Sequence, residues 1–296
     1  MKKVISFDLQ APFAVFKKPD INKSLYLTYN MLHRPALLGI LGAIVGLRGF
    51  WRNPELLPAD VDESDWEEAL LENPALPEYY KKFYDLRVGI EPLESDNGYF
   101  QKTVIGYNNS AGYATNEEGG ILQVKEQTLI APSYRCYLLL DLENPDEEKL
   151  YHFIKSGQAE YLPYFGKNEF SAWWKWWEEG AVCEYSPEEF HNDKDFEVTG
   201  LFIKAKAVRE EALPPKIVLR GEAKRIFMYF EGLPVSYHPA LFQYEMADFV
   251  LANLTFQAGS TIPDLYRLTS PNGESKYVQL FNRQTFLKTI VHENAG

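Results

Sequence analysis

Val4-Ile5-Ser6-Phe7-Asp8-Leu9 alternates, with Ile5, Phe7 and Leu9 on one face, so the segment reads as a half-buried strand. A basic linker follows, and then the apolar run Pro35-Ala36-Leu37-Leu38-Gly39-Ile40-Leu41-Gly42-Ala43-Ile44-Val45-Gly46-Leu47. Pro35 suits the first turn of a helix, where its missing N–H would be unpaired anyway. Gly49 is placed to end that helix in a left-handed conformation. An apolar face all round predicts burial on more than one side. Gly39, Gly42, Ala43 and Gly46 fall in one stripe, and each interior glycine gives up ~1 kcal/mol against alanine. Another backbone is therefore expected to approach closely. Tight packing of helix on sheet accounts for the stripe more simply than a ligand-contact face.

Charge separates this unit from the rest. Residues 1–52 hold eight Lys and Arg against Asp8 and Asp20, in a chain of 296 residues with net charge −12. A basic segment on an acidic protein reads either as a local anion site or as a solvated lysine loop. His33-Arg34-Pro35 would set cationic groups at a helix N-terminus, which attracts phosphate. The net negative charge argues against unspecific coating of nucleic acid, so any such binding must be local. Cys136 and Cys183 are the only cysteines, which disfavours a disulfide scaffold and fits a reducing cytoplasm. Asp8 interrupts any signal-like apolar run, and the apolar helix is too short to span a bilayer. No membrane partner is expected.

Further along, Asn53–Tyr80 carries nine carboxylates and no Lys or Arg. It reads as an acidic helical insertion, with Ser64-Asp65-Trp66-Glu67 as a capping box and a second short helix near Pro77–Tyr84. An exposed acidic surface or a face for a protein partner both fit. Asp85–Leu93 alternates as a strand. Gln101–Tyr107 and Ile121–Leu129 are β-prone arms around a polar, glycine-rich tip at Asn108–Gly120, which predicts a long hairpin. Tyr134–Leu140 is a strand, and Asn144-Pro145-Asp146-Glu147-Glu148 opens a helix with a cap, a proline and acids against the dipole. Leu150, Phe153 and Ile154 make its buried stripe, and Gly157 ends it. Trp173-Trp174-Lys175-Trp176-Trp177 reads as core, as a protein interface or as a base-stacking surface. A fourth sheet strand is expected at Phe196–Val208. The order is most of a ferredoxin-like βαββαβ unit. Beyond Pro214-Pro215 the chain turns strongly β, with a turn at Ser270-Pro271-Asn272-Gly273.

The motif search is largely negative. The five histidines are scattered without metal-ligand spacing. No phosphate loop, nucleophile elbow or dinucleotide fingerprint occurs. No cofactor is expected, and neither a catalytic nor a metal site is assigned.

Two blocks carry a resemblance. Phe7-Asp8-Leu9-Gln10-Ala11-Pro12-Phe13-Ala14-Val15-Phe16, Leu27-Thr28-Tyr29 and Arg34-Pro35-Ala36-Leu37-Leu38-Gly39-Ile40-Leu41-Gly42-Ala43 form the first. Leu162-Pro163-Tyr164-Phe165-Gly166-Lys167-Asn168-Glu169-Phe170 is the second. Together they resemble the CRISPR-associated Cas family five, subunits of the RNA-guided DNA surveillance complex Cascade. The resemblance implies an α+β, ferredoxin-like (RNA-recognition-like, RAMP-type) domain over 1–212. That domain would include the acidic insertion (53–84) and a hairpin thumb (100–130), with a small β-rich C-terminal domain at 213–296. It implies a non-catalytic subunit of a type I, I-B-like complex in antiviral defence, gripping the 5′ handle of crRNA. Protein partners would be the backbone and large subunits, with target DNA met indirectly. Lys17, Lys18, Lys23 and Arg34 would neutralise phosphates. Tyr29 and Tyr107 would stack on bases, beside His33, Lys102 and Asn108. Gly166 would admit the RNA backbone, and Lys167 and Asn168 would donate to it. One branch of the family instead cuts precursor crRNA without metal, using Tyr, Lys and His. Here Tyr29, His33 and Lys23 lie close in sequence, but Lys125 is followed by Glu126 and Lys102 by Thr103, so that branch's Lys-His pair is missing.

Overall fold

The computed structural model describes residues 2–20, 25–50, 62–74, 76–109, 122–204, 217–218, 226–238, 241 and 243–290. Strand β1 (Lys2–Gln10) is central to a twisted antiparallel sheet. Helix α1 (Arg34–Val45) connects it, through α2 (Trp66–Glu72) and α3 (Glu78–Lys82), to strand β2 (Arg87–Leu93). An inserted hairpin, β3 (Lys102–Asn109) and β4 (Leu122–Ile130), precedes β5 (Ser133–Asp141). Helix α4 (Pro145–Ser156) then leads to β6 (Val182–Glu189). The four principal strands lie in the order β6-β1-β5-β2, so each helical crossover steps over one strand of the other unit. Register runs from Lys2 opposite Asp141 to Gln10 opposite Ser133.

The local signals explain most of these elements. Asn144 caps α4 by accepting from the Asp146 N–H at 3.0 Å, and Gly157 ends the helix at φ 66°. His33, an uncommon cap, does the same for α1 by accepting from the Ala36 N–H through Nδ1 at 3.3 Å. Gly46, at φ 86°, stops α1 in place of the expected Gly49. Leu37, Leu38, Leu41 and Ile44 are fully buried, each contributing about 1.5–3 kcal/mol relative to exposure. The close neighbour of Gly39 and Gly42 is the Tyr79 side chain, while a backbone does approach α1 beside them, the N–H groups of Glu160 and Tyr161 donating to the Ile44 and Ala43 carbonyls at 2.9 and 3.0 Å. A Cβ on Gly42 would stand 2.3 Å from Cβ of Tyr79 on α3. Ser64 lies in a 3-10 turn, and Asp65 precedes α2 without a side-chain cap bond, so the expected capping box does not form.

β1 is buried on both faces, not one. Ile5, Phe7 and Leu9 join the helices, while Val4 packs with Tyr137, Tyr185, Leu268 and Val278. The second layer comes from the sheet itself. β6 continues into β9 (Leu265–Thr269) and β10 (Ser275–Gln279), and the sheet curls back until Val88 and Phe281 exchange backbone hydrogen bonds of 3.0 and 2.8 Å. The hairpin β7 (Met228–Tyr237) and β8 (Tyr244–Ala252) sends Leu233, Val235 and Phe249 into the core with Phe7 and Leu38. Residues on either side of position 212 thus share one core. Helix α5 (Arg283–Ile290) closes the described chain.

The strand beside β1 is β6 and not Phe196–Val208. Phe196–Glu197 pairs with Thr255–Phe256, and Phe202–Ile203 with Phe249 and Val250. β6 is rich in charge and contains Pro187, which hides its strand character. Its first half pairs with β1 and its second with β9, so Pro187 needs a partner on one side only. Within the tryptophan run, Trp174 is fully buried, edge-on to Phe7 at 5.8 Å, and its Nε1 donates to the Ile154 carbonyl at 2.8 Å. Trp173 stacks on it, whereas Trp176 and Trp177 are exposed. Glu67 of the acidic insertion is tied inward, to Arg283 at 3.2 Å, and Arg283 also binds Glu245 at 2.7 Å. No helix among the described residues is long and apolar enough to cross a membrane.

Candidate nucleic-acid interface

The basic linker is anchored along the root of the β3–β4 hairpin. Phe13–Ala14 pairs antiparallel with Leu129 and Ile130, and Leu25–Tyr26 pairs parallel with Lys125 and Glu126. Between them Phe16–Lys17 pairs with Thr28–Tyr29. The second sequence block meets the first here. The Val15 N–H donates to the Phe165 carbonyl at 3.1 Å, and the Phe16 and Phe165 rings meet edge-on at 5.5 Å. A tight turn follows, with the Phe170 N–H donating to the Lys167 carbonyl at 2.9 Å. It throws Lys167 toward the hairpin, where its ammonium pairs with the Glu126 carboxylate and donates to Tyr107 Oη at 3.2 Å. Burial acts against the charge on Lys167, but the Glu126 and Tyr107 hydrogen bonds outweigh it and raise its pKa.

These elements surround an open cavity of about 920 Å³. Its floor is the Ala36-Gly39-Ala43 face of α1, its walls carry Tyr79, Tyr164, Tyr244 and Phe50, and Lys17, Lys167 and Arg48 line it with Glu126. A concave, aromatic-lined space bordered by cations is chemically suited to a planar, anionic ligand.

The sequence-predicted residues divide sharply. Lys17 is exposed, its Nζ 3.8 Å from the centre of the Tyr26 ring. Lys18 is partly held by Glu231 at 3.7 Å. Lys102 is exposed at the hairpin root, where desolvation lowers its pKa, Glu231 opposes that and Lys18 adds to it. Tyr107 is exposed, and Asn108 lies in β3 opposite Gln123. Asn168 is exposed. Lys23 and most of the hairpin tip lie outside the described residues.

Four expectations are corrected. Arg34 is fully buried and donates to the carbonyls of Val235, Phe83, Tyr84 and Leu86, so it braces the fold and cannot meet phosphate. His33 is buried, and desolvation pulls its pKa down to about 3, so it offers no positive charge at neutral pH. Tyr29 is 2% exposed, which leaves no ring face for a base. Burial, with Asp20, Tyr244 and Glu231 adding to it, pushes its pKa up to about 12. Gly166 admits a backbone, but that of Val15. A Cβ there would lie 1.7 Å from the Val15 carbonyl oxygen. Sequence reasoning missed Arg48, Tyr79, Tyr244 and Glu126. Tyr164, quoted within the second block, was the available signal for the cavity wall.

His33 makes a prediction about pH. Its folded pKa lies below the unfolded value, so the unfolded chain binds more protons as pH falls from 6.5 toward 3, and stability is lost in that direction at up to about 1.4 kcal/mol per pH unit. His33→Asn keeps a cap acceptor and removes this titration. Between pH 6.5 and 5, urea-unfolding free energies should fall more steeply for the parent than for the variant. Parallel slopes would contradict the buried neutral imidazole.

No protein-family model matches the chain, and no curated protein matches it. Solved structures to which it is similar include a CRISPR protein from Archaeoglobus fulgidus, at 11% identity and a TM-score of 0.43 over 95% of this chain and all of that one. Another is a chain of a CRISPR RNA-guided surveillance complex, at 10% identity and 0.42 over 85% of this chain and 91% of the other. A third belongs to a Type III-B Cmr-beta complex bound to cognate target RNA and AMPPnP, at 9% identity and 0.40 over 87% and 86%. All three lie below a TM-score of 0.5, so the functional reading rests on this chain's own residues.

Proposed function

We propose that this chain is a non-catalytic, RNA-binding subunit of a CRISPR RNA-guided surveillance complex, gripping the 5′ handle of crRNA. The observation that carries this reading is the meeting of the two resembling sequence blocks. Residues 13–17 and 162–170, far apart in the chain, join through Val15 and Phe165 at the root of the hairpin. The order β6-β1-β5-β2 with crossovers through α1 and α4 supports a ferredoxin-like, RNA-recognition-type core, with β3–β4 as the thumb. Lys17 and Lys102 would contact phosphates, Lys167, its charge already balanced by Glu126, would offer only its remaining N–H, and Tyr107 and Tyr164 would contact splayed bases, as single-stranded RNA recognition requires. The acidic insertion would face protein partners, the backbone and large subunits of the complex.

The endoribonuclease alternative asks Tyr29 and His33 to exchange protons near neutral pH. A phenol raised to about 12 and an imidazole lowered to about 3 are poorly matched to that task. Labelled single-stranded repeat RNA should therefore be bound and left intact, with chelator present or absent. Specific scission abolished by Tyr29→Phe would overturn the non-catalytic reading.

A further inference from the structure

We propose that the Glu126–Lys167 ion pair is an autoinhibitory contact, an inference that rests on the RNA-binding reading above. The Glu126 carboxylate competes with RNA phosphate for the Lys167 ammonium and holds the affinity of the free chain below what its cations could give. Among the described residues lining the open cavity Glu126 is the one acid, set beside Lys17, Lys167 and Arg48. Its side chain is 4% exposed, and Lys167 is the cation that pairs with it among the described residues. A buried carboxylate is tolerated only while its charge has such a partner.

The pair can open while the fold stands. Glu126 is fixed through its backbone, which pairs with Ile105 of β3 on one side and with Tyr26 of the linker on the other. Lys167 reaches it from a separate segment, the turn closed by Phe170, as a point charge on a flexible stem. Arg135 and Arg283 differ, because each grips its carboxylate, Asp8 or Glu245, through two nitrogens and so braces the structure. An ammonium has no such fork. The Lys167 side chain is 27% exposed, within reach of a ligand.

The donors of Lys167 are nearly spent in this state. An ammonium has three. One goes to Glu126 and another to Tyr107 Oη at 3.2 Å, with Nζ 4.5 Å from the centre of the Tyr107 ring. A phosphate arriving here meets a single N–H with a carboxylate beside it. It gains little attraction unless the pair opens, and opening leaves Glu126 buried without a partner. Anions that rely on Lys167 alone are therefore turned away, and RNA anchored elsewhere is held less tightly than the lysines alone would hold it.

The test follows binding of a short single-stranded RNA to the purified full chain by fluorescence anisotropy over a series of salt concentrations. Glu126→Gln keeps a carbonyl oxygen for the Lys167 N–H and removes the charge. It should bind about two- to fivefold more tightly than the parent at low salt, the range of a partly exposed ion pair. Its log–log slope should steepen by ~0.7, one further phosphate contact. Adding Lys167→Gln to Glu126→Gln should cancel the gain. Glu169→Gln, exposed on the same turn, should leave the slope as it is. Glu126→Met, apolar and of similar length, is the second neutral variant if the amide disturbs the fold, and its slope should steepen alike. RNA bound by the parent, with no steepening in either folded neutral variant, would overturn autoinhibition and leave RNA binding standing. Weaker binding by Glu126→Gln would overturn it in favour of a purely positioning carboxylate. A gain matched by Glu169→Gln, or surviving the loss of Lys167, would be a general charge effect and also overturn it. Binding of RNA by neither parent nor variants would remove both readings.

Discussion

Arg34→Met is expected to destabilise the chain by ~3 kcal/mol, in spite of removing a buried charge. Among the described residues no carboxylate pairs with the guanidinium, and burial lowers its pKa, with Tyr80, Tyr84 and Asp85 acting against that. Deleting such a cation relieves a desolvation penalty of several kcal/mol. Against this stand the carbonyls of Phe83, Tyr84 and Leu86 behind α3 and that of Val235 in β7. The guanidinium fork reaches all four; the Phe83 carbonyl keeps the Leu86 N–H at 3.1 Å, and the other three lose this donor at ~1–3 kcal/mol each. The carbonyl losses win because methionine donates nothing. Lysine should not rescue, since an ammonium is a point donor and cannot span two elements. Urea denaturation should show a lower midpoint with the slope unchanged. A shift below about 1 kcal/mol would mean that Arg34 does not brace these elements.

Gly166→Ala should be more damaging still. The residue sits at φ 84°, and its added Cβ would meet the Val15 carbonyl oxygen at 1.7 Å, so one of two backbones must move. Left-handed strain alone costs about 1–3 kcal/mol. The displacement would also break the Val15–Phe165 hydrogen bond and pull Lys167 from Glu126 and Tyr107. RNA binding should fall by roughly tenfold or more, since a binding site depends on side chains held within a fraction of an ångström of their places. Gly49→Ala is the control, because a Cβ there has no neighbour within 4 Å. If the two variants melted and bound alike, the junction of the two sequence blocks would not organise the site.

What could be read from the sequence was local. The span of β1, the cap at Asn144, the stop at Gly157 and the paired arms of the hairpin are short-range signals, and each is found within a residue or two of its expected place. What could not be read depends on what lies above a residue in space. Arg34 and His33 look like a cationic pair at a helix start. Yet one turns inward beneath α3 and the other spends a ring nitrogen on the cap. β6 was hidden by its charge and by Pro187, because the half-on-each-side pairing that tolerates them is a tertiary fact. Glu126 stood out only as a break in a Lys-His pair. In the structure it is the counter-ion that holds Lys167 over the cavity.

The salt dependence of repeat-RNA binding tests the central claim most directly. The parent affinity should fall as salt rises, and Lys17→Ala with Lys102→Ala should flatten the log–log slope by ~0.7 for each phosphate left without its lysine. Both side chains are exposed and Lys17 has no ion pair among the described residues, so the fold should tolerate the change. The RNA should be recovered at full length in every lane. A slope identical in parent and double variant would move the RNA path away from the hairpin root and contradict the account.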